Sequence, residues 1–494
     1  MDEIQLYILL FTLTILFYAW YFTIGKKTLP PSPPKLPIIG NLHQIGELPH
    51  RSLWQLSKKH GPLMFFKLGS KPTLIVSSAT VAKEIMKTHD LSFASKPVLI
   101  VPKKLFYDMN DLINLPYGEK WRKLRSIFMH QLLSSTRVKS FNSIREEETC
   151  LFVEKIKGCF MSASPVNLTD MFKLLTNDMI CCAAFGKKHS ESKYGKMFLD
   201  SLDEAVGLLF NFTLGEFVPW LGWINWLTGY NAALDKCVKK RDEVLDAITE
   251  EHLAKSGDDK SKQCFVDILL DIYKGSIPGV SIDLITLKSV ILDVFGAGTE
   301  TSATTLVWVM TELVRHPEVM KKLQDEIREI MKEKHHITDD DLEKMQYLKA
   351  VVKETFRVHP PVAIYFHLSR EYVNLMGYDI EPETMVIINA WAIGRDPAYW
   401  HEPEKFMPER FLNSSVDFKG FDFQLIPFGA GRRICPGLGF AVSSIEHTIA
   451  NLMHNFDWAL PDGAKGEDLE VTEKPGFTIG RKNPLVVVPT KCYF

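Results

Sequence analysis

The longest apolar run of the chain lies close to its N-terminus. Residues 6–24 read LYILLFTLTILFYAWYFTI and include no charged side chain. At about 1.5 Å of rise per residue, a helix of this length reaches about 28 Å, enough to cross the hydrocarbon core of a bilayer. Two acidic residues precede the run and Lys26 and Lys27 follow it. The positive-inside rule therefore predicts a single-pass anchor over residues 1–28 with the body in the cytosol, a buried core helix being the alternative.

A proline-rich segment separates this run from the rest of the chain. Residues 29–37 read LPPSPPKLP, and prolines this dense favour an extended, stiff spacer that cannot continue a helix. We predict a hinge over residues 29–45 and a folded domain over 46–494.

The polar and apolar pattern of the body is mostly helical. Two β-rich runs around a Gly-Ser-Lys-Pro turn, residues 63–78, predict a hairpin. Amphipathic helical periodicity then dominates to about residue 355. Ser256–Lys262 is the best candidate for an exposed loop. The clearest further segments are four helical stretches at 77–89, 143–160, 230–255 and 342–359, and one strand-like stretch at 385–393. The body is predicted to be one mainly helical unit with small sheets.

Composition narrows the range of functions. Hydrophobic residues make up 46% of the chain and the formal net charge is −2, so nothing indicates a nucleic-acid partner. Eight cysteines are scattered without Cys-x-x-Cys pairs or zinc spacing. Such cysteines are typical of buried thiols in a reducing compartment, which agrees with a cytosolic body.

One cysteine stands in an unusual local sequence. Residues 427–437 read PFGAGRRICPG, so small or ring-locked residues and two arginines surround Cys435. A thiolate needs compensating charge and nearby N–H groups, and glycine lets the backbone fold close around a sulfur and a flat cofactor. The helix-like sequence after Gly437 is expected to place a helix N-terminus beside the sulfur and to lower its pKa. For a single cysteine, an inert buried thiol is the alternative.

The spacing Phe-x-x-Gly-x-Arg-x-Cys-x-Gly resembles the haem-binding loop of the cytochrome P-450 family, and the resemblance extends over nearly the whole chain. The stretches PPSPPKLPIIGNLHQ and NAWAIGRDP are similar to plant microsomal members of its largest, A-type group. The resemblance implies a mainly α fold with small β-sheets and haem b, with iron ligated axially by Cys435. The other expected cofactor-binding residues of this loop are Phe428, Gly431, Arg433 and Gly437.

Two further motifs follow the family order. Glu354 and Arg357 lie three apart on a predicted helix and share a face, as an ordinary surface ion pair would. Followed by Pro408–Phe411, they resemble the family's Glu-Arg-Arg network, in which Arg410 is the third member. The resemblance gives this network a structural role behind the cysteine loop.

The segment LDVFGAGTETSATTLVWVM, residues 292–310, is an apolar helix interrupted by Gly296 and Gly298. Glycines inside a helix cost stability, so core packing explains them poorly. The segment resembles the family's oxygen-activation helix, which implies a catalytic acid–alcohol pair at Glu300 and Thr301. Many relatives carry Asp at the acid position, so Glu300 departs from the pattern.

Haem propionate contacts are also implied by the resemblance. Trp121 and Arg125, in GEKWRKLRS, match the family's propionate pair. Where many relatives carry a Pro-Arg pair, this chain reads PPVAIYFHLSRE. With a one-residue gap the arginine position falls on His367, which we prefer; without it the position falls on Leu368, with Arg370 the nearest arginine.

Apolar segments at family positions imply a pocket for a small lipophilic substrate, with core packing the alternative for each residue singly. The predicted pocket residues are Phe106, Phe210, Ala297, Val362, Tyr365 and Phe477.

The resemblance implies a haem-thiolate monooxygenase of the endoplasmic reticulum membrane that hydroxylates or epoxidises a plant metabolite. Electrons are expected from NADPH through a reductase, with cytochrome b5 as a further partner. A terpenoid is the first substrate class and a phenylpropanoid, coumarin or alkaloid the second. The other functions considered are a haem isomerase or dehydratase and a non-catalytic haem-binding scaffold, both disfavoured by Thr301.

Overall fold

The structure is a computed structural model, and part of the chain lies outside its description. The residues it describes are 12–14, 27–188, 197, 200, 201, 204, 205, 207, 208, 214–254, 263–276, 281–332, 334 and 336–493. Most of the predicted anchor run, the predicted loop Ser256–Lys262 and the predicted pocket residue Phe210 lie outside them. In the described part, no helix is both long and apolar enough to cross a membrane.

Helices dominate the described residues, as the periodicity predicts. In chain order they are α1 (Pro49–His60), α2 (Ala79–Lys83), α3 (Ile100–Leu105), α4 (Glu119–Ile127), α5 (Ser135–Ser140), α6 (Asn142–Met161), α7 (Leu168–Phe185), α8 (Leu214–Phe217), α9 (Ile224–Leu227), α10 (Tyr230–Ala254), α11 (Phe265–Tyr273), α12 (Leu284–Arg315), α13 (Pro317–Met331), α14 (Asp339–Lys344), α15 (Gln346–Val358), α16 (Ala390–Ile393) and α17 (Leu438–Asn455). Wider π-type turns continue α2 over Glu84–Thr88 and α4 over Phe128–Leu132.

The strands of the described residues form sheets of four, three and two strands. They are β1 (Leu63–Leu68), β2 (Lys71–Val76), β3 (Val166–Asn167), β4 (Ile364–Leu368), β5 (Val373–Leu375), β6 (Tyr378–Ile380), β7 (Met385–Asn389), β8 (Phe456–Ala459) and β9 (Val486–Cys492). The largest sheet has the order β1-β2-β7-β4, with β2 and β7 parallel and the other pairs antiparallel. The predicted hairpin is confirmed as β1 and β2, with Leu63 opposite Val76.

Two predicted segments differ from the structure in their extent. The helical stretch 342–359 is two helices, because the backbone leaves the helical conformation at Met345 (φ −78°, ψ 82°) between α14 and α15. The strand-like stretch 385–393 is strand only to Asn389, whose side chain accepts a hydrogen bond from the Ala392 N–H and caps α16.

The long central helix α12 organises the core. Asp283 caps its N-terminus by accepting from the Thr286 N–H at 2.7 Å. The helix packs against α7 and α17. A Cβ at Gly298 would lie 2.6 Å from Ile180 Cδ1, so this glycine lets α12 and α7 approach closely. Core packing therefore accounts for Gly298, contrary to the expectation from the sequence. The arrangement brings the middle of α12 and the start of α17, which follows the cysteine loop, into one part of the molecule.

Candidate active site

The cysteine loop, residues 427–437, follows a backbone path that requires glycine. Gly431 has φ +64°, and a Cβ there would lie 2.3 Å from the Met86 carbonyl oxygen. The Cys435 N–H donates to the Phe428 carbonyl at 2.9 Å, which closes the loop. The loop therefore turns back on itself and presents Cys435 just before α17.

Burial and charge act in opposite directions on Cys435. Burial raises the pKa of the Cys435 thiol, whereas the N–H groups of Gly437 and Leu438 and the charge of Arg125 lower it. The predicted lowering by the helix N-terminus is present in the N–H groups of Gly437 and Leu438, but desolvation outweighs it and the net direction of the pKa is upward. The Cys435 thiolate therefore needs a further positive charge bound next to its sulfur to stay ionised.

Aromatic and polar contacts stabilise the first residues of the cysteine loop. The Phe428 ring packs against Phe356 at 5.1 Å and against Phe418 at 5.6 Å between centroids. The Tyr365 hydroxyl donates to the carbonyl oxygens of Ile426 and Pro427 at 2.9 and 2.6 Å. Tyr365, predicted as a pocket residue, thus has its hydroxyl on the residues that lead into the cysteine loop.

Arg433 is fixed by main-chain acceptors. Its guanidinium donates to the carbonyl oxygens of Ala94, Leu112 and Leu115 at 2.7, 3.2 and 2.6 Å. It also lies over the Trp121 ring, 4.4 Å from the centroid. The Trp121 Nε1–H donates to the same Leu112 carbonyl at 3.1 Å. Trp121 and Arg433, far apart in sequence, are therefore held together by one peptide.

A half-buried lysine that the sequence reasoning missed joins this group. Burial and the charge of Arg433 lower the pKa of Lys96 to about 7, and its ammonium donates to the Phe366 carbonyl at 2.6 Å. Burial also lowers the pKa of Arg433 to about 9 and that of Arg125. Among the described residues, no carboxylate forms an ion pair with any of the three. The only signal in the sequence was a lysine in the stretch FASKP.

His367 and Arg370 differ in their surroundings. His367 is buried on β4 and its Nδ1 lies 3.0 Å from the Phe93 carbonyl oxygen. Burial, followed by the charge of Lys96, lowers its pKa well below the usual value. Arg370 is exposed, donating to the Leu91 carbonyl at 3.1 Å. Of the two candidates, His367 is the one that lies near the cations Lys96 and Arg433.

The middle of α12 carries the predicted acid and alcohol. The Thr301 hydroxyl donates to the Ala297 carbonyl of its own helix at 2.5 Å. Glu300 Oε1 accepts from the Thr478 hydroxyl at 3.3 Å. Ala297 is exposed and a Cβ at Gly296 would meet nothing within 4 Å, although most of α12 is buried. This helix thus presents an open face beside a hydroxyl and a carboxyl group.

The Glu-Arg-Arg residues come together away from that face. Arg357 Nε and Nη2 donate to the two oxygens of Glu354 at 2.7 and 2.8 Å. Arg410 Nε donates to Glu354 Oε1 at 3.0 Å, and the Met407 N–H donates to it at 2.7 Å. Glu354 and Arg357 have no exposed side-chain surface. The network joins α15 to the segment that precedes the cysteine loop.

The remaining predicted pocket residues lie in different surroundings. Phe106 is half-buried between two apolar clusters. Val362 is half-buried before β4, and Phe477 is 43% exposed near the C-terminal strand.

Comparison with known proteins decides the family. The family model described as Cytochrome P450 matches residues 30–488 of the chain. The chain belongs to the cytochrome P450 family. P450s are haem-dependent monooxygenases whose iron is held by a cysteine thiolate and which take electrons from a redox partner.

Plant P450s are similar over almost the whole length. Cytochrome P450 736A117 of Prunus mume is 51% identical and covers 96% of this chain and 93% of its own. Norfluorocurarine oxidase of a Strychnos species is 48% identical, covering 94% and 92%. Tabersonine/lochnericine 19-hydroxylase of Catharanthus roseus is 45% identical, covering 96% of each.

Solved structures agree with the fold. A zebrafish cytochrome P450 with progesterone superposes with a TM-score of 0.77 at 25% identity, covering 89% of this chain and 99% of that one. A second zebrafish structure, with abiraterone, has a TM-score of 0.76 at 24% identity, covering 90% and 100%. The predicted mainly helical P450 fold with small sheets is confirmed.

The side chains fit a haem. Lys96, Arg125 and Arg433 are half-buried cations that form no ion pair with a carboxylate in the described part of the chain, and removing such charges from water costs free energy unless a counter-ion lies close. The two propionates of haem b supply such counter-ions. The soft thiol of Cys435 suits iron, and the metal's charge would ionise it despite its raised pKa.

Proposed function

We propose that this P450 uses Cys435 as its haem ligand and inserts an oxygen atom from O2 into a small lipophilic plant metabolite, a terpenoid being the first class to test. The observation that carries this proposal is the cysteine loop. Its sulfur receives two N–H groups at the start of α17 and faces the charge of Arg125. That set of groups suits a thiolate on a metal better than an inert thiol.

The haem would be held from two directions. Cys435 would ligate the iron, with Gly431 and Gly437 allowing the backbone close to it and Phe428 supporting the loop. The propionates would be bound by cations and polar groups of four separate segments, namely Lys96, Trp121 with Arg125, His367 and Arg433. When bound, haem iron supplies the activation of O2 and the oxidising equivalent for C–H or double-bond oxygenation.

Glu300 and Thr301 are proposed to manage protons on the open face of α12. The Thr301 hydroxyl donates to the Ala297 carbonyl, so it must rotate to offer its proton to a group at that face. Glu300 accepts a hydrogen bond from the Thr478 hydroxyl and directly precedes Thr301 in the chain. Its carboxyl can therefore return a proton to the Thr301 hydroxyl. The longer side chain of Glu, compared with Asp, changes the reach of the carboxyl but not its chemistry.

The substrate class is inferred from apolar surroundings and from relatives. Phe106, Ala297 and Val362 offer apolar surface, which suits a lipophilic molecule. Two relatives are named for oxidising norfluorocurarine and for hydroxylating tabersonine or lochnericine. These compounds therefore belong in the first screen beside terpenoids, phenylpropanoids and coumarins.

Electron supply and location complete the proposal. We assign NADPH as the electron source through a membrane-bound reductase, with cytochrome b5 as a second donor. The uncharged run at residues 6–24 supports a single-pass anchor in the endoplasmic reticulum membrane, residues 29–45 a hinge and residues 46–494 the catalytic domain.

The haem assignment is tested first by the carbon monoxide difference spectrum of dithionite-reduced microsomes. We expect a strongly red-shifted Soret band in the native protein and its loss in Cys435→Ala. Cys264→Ala is the matched control, because Cys264 is a buried thiol away from the loop. A band that survives in Cys435→Ala would refute the ligand assignment.

A turnover assay then separates the monooxygenase from the isomerase or dehydratase. Product formation should require NADPH, reductase and O2 together. Conversion of a hydroperoxide at the same rate without NADPH and reductase, and no oxygenation with them, would favour the isomerase.

A further inference from the structure

Two aspartic acids unexplained by the proposed reaction meet inside the protein. Asp111 lies in the loop between α3 and α4, and Asp293 lies in α12, nine-tenths or more buried in both cases. The two carboxyl groups are close enough to share a hydrogen bond. Two carboxylates cannot both stay ionised at such proximity in a buried site, and a hydrogen bond between them requires a proton on one.

The hydrogen bonds of the four carboxyl oxygens point to the same proton. Asp111 Oδ2 accepts from the backbone N–H and side-chain amide of Asn114 at 3.0 and 2.6 Å. Asp293 Oδ2 accepts from the Leu112 N–H at 2.6 Å. The other oxygen of each carboxyl, Oδ1, is buried without a donor among the described residues. One shared proton would satisfy both of these oxygens.

We propose that Asp111 and Asp293 share one proton at neutral pH and are positioning residues that clamp the Leu112 peptide. The ionised partner is Asp111, because Asn114 donates to it twice and the cations Lys96 and Arg433 face it. Asp293 carries the proton, because the negative charge of Asp111 beside it disfavours a second carboxylate.

The clamped peptide serves the haem side of the molecule. Leu112 gives its N–H to Asp293, and its carbonyl accepts from both Trp121 and Arg433. Without the hydrogen bond from its N–H to Asp293, the Leu112 peptide could move, and its carbonyl would no longer align Trp121 and Arg433. The Leu112 peptide held by Asp293 would thus orient part of the proposed haem site, and the inference rests on that proposed site.

The loop has a reason to need such a clamp. Tyr107, Asp108 and Met109 have φ values of 49°, 62° and 60°, a left-handed turn without glycine. Three consecutive residues in this region are strained and persist only when their surroundings hold them. Asp111 lies two residues after Met109, so its buried contact with α12 opposes the relaxation of the loop.

The pH dependence has a definite sign. Burial raises the pKa of both carboxyls, and the neighbouring charge of Asp111 raises that of Asp293 further. A folded-state pKa above the unfolded value means that the stabilisation is full below the unfolded pKa and is lost as the pH rises through the folded pKa. The clamp should therefore weaken at alkaline pH, when the shared proton leaves.

The test compares full-length, haem-loaded variants by transfer of haem to an acceptor protein between neutral and alkaline pH. In the native protein, haem loss should accelerate as the pH rises. In Asp293→Asn the amide keeps the Leu112 acceptor and replaces the shared proton by a fixed N–H. The acceleration should therefore be clearly smaller than in the native protein, and the remainder comes from neutralisation of Lys96, whose pKa is about 7. Asp293→Ala should lose haem on the order of tenfold faster at neutral pH. Asp283→Asn, at the N-cap of the same helix, should match the native profile.

Infrared spectroscopy gives a second readout that does not depend on haem transfer. The difference spectrum between the native protein and Asp293→Asn should show the carbonyl stretch of a buried protonated carboxyl at neutral pH, because Glu446, whose pKa burial raises to about 7, contributes equally to both proteins. An Asp293→Asn protein with the native alkaline acceleration, or a difference spectrum without that band, would overturn the shared proton. If instead no variant and no native protein binds haem, the proposed haem site fails, and the infrared band still decides the acid pair.

Discussion

The chemistry of single residues here depends on how burial and nearby charge combine. Cys435 is made harder to ionise by burial, yet N–H groups and Arg125 favour its thiolate. Lys96 is likewise made easier to neutralise by burial. Both groups gain if an ion of opposite charge enters the site: iron for the thiol, a carboxylate for the lysine. Cys435 and Lys96 are therefore each placed to bind an ion from outside the chain and do not pair with one another.

Thr301 is expected to matter through its hydroxyl alone. Thr301→Ala should lower the product formed per NADPH consumed on the order of 100-fold, because proton delivery by a placed group contributes at least that much. Thr301→Ser keeps the hydroxyl and should restore most of the yield. Coupling of NADPH oxidation to product in a reconstituted system measures both. Equal losses in the two variants would mean that the methyl packing of Thr301, and not its hydroxyl, matters.

Gly431 is expected to tolerate no side chain. Gly431→Ala forces a Cβ against the Met86 carbonyl oxygen at a positive φ, and should cost about 2 kcal/mol or more of unfolding free energy. Gly158→Ala, inside α6 with nothing within 4 Å of the added Cβ, should be neutral or slightly stabilising. Thermal unfolding followed by circular dichroism compares them. Similar midpoints for both variants would refute the steric argument.

At the scale of elements, buried ion pairs join segments that apolar packing alone would leave free to slide. Glu354→Gln leaves Arg357 and Arg410 without their carboxylate, and should cost roughly 3–5 kcal/mol of unfolding free energy. Asp325→Asn removes one partner of the exposed Lys321 pair and should leave the unfolding midpoint unchanged. Denaturant titration gives both values. A Glu354→Gln cost as small as the control's would assign the network no structural role.

Glu473 links α1 to the C-terminal segment and should govern acid stability. Burial alone would raise the pKa of Glu473, but the hydrogen bonds and charges of His50 and Arg51 lower it to about 2. The pair therefore stabilises above the unfolded pKa, and roughly 3 kcal/mol is lost as the pH falls from about 4.5 to about 2.

The measurement is the denaturation midpoint of the native protein and of Glu473→Gln at neutral and acid pH. The native protein should lose more stability on acidification than the variant, because the variant has no carboxylate to protonate. Parallel losses would assign the acid sensitivity to other groups.

At the scale of the whole molecule, the sequence predicted those features that residues close together in the chain determine. The hairpin, α6, α10 and α17 follow from local apolar periodicity, and the cysteine loop from local spacing. The burial of Asp111 and the lowered pKa of Lys96 were missed because both arise only when distant segments fold together around Arg433 and α12. The upward pKa of Cys435 was missed for the same reason: a helix N-terminus can be read from sequence, but desolvation depends on the tertiary fold.

The boundary between hinge and domain is a further property of the whole fold. Residues 31–41, predicted as part of the hinge, lie along β1 at the edge of the largest sheet: the Phe65 N–H donates to the Pro31 carbonyl at 2.9 Å, and Lys67 exchanges hydrogen bonds with Asn41 at 2.8 and 2.9 Å. Asn41 is fully buried. A strand edge stripped of this cover exposes unpaired backbone groups and invites association.

Two truncations distinguish a linker from an edge cover. A chain lacking residues 1–28 should fold and give the same carbon monoxide band per mole of protein as the full chain, because the β1 contacts remain. A chain lacking residues 1–45 should unfold at lower temperature and associate, because Phe65 and Lys67 lose their backbone partners on that edge. The two are compared by thermal unfolding and by light scattering. Matching midpoints and sizes would mean that residues 29–45 act only as a spacer, as the proline pattern by itself predicts.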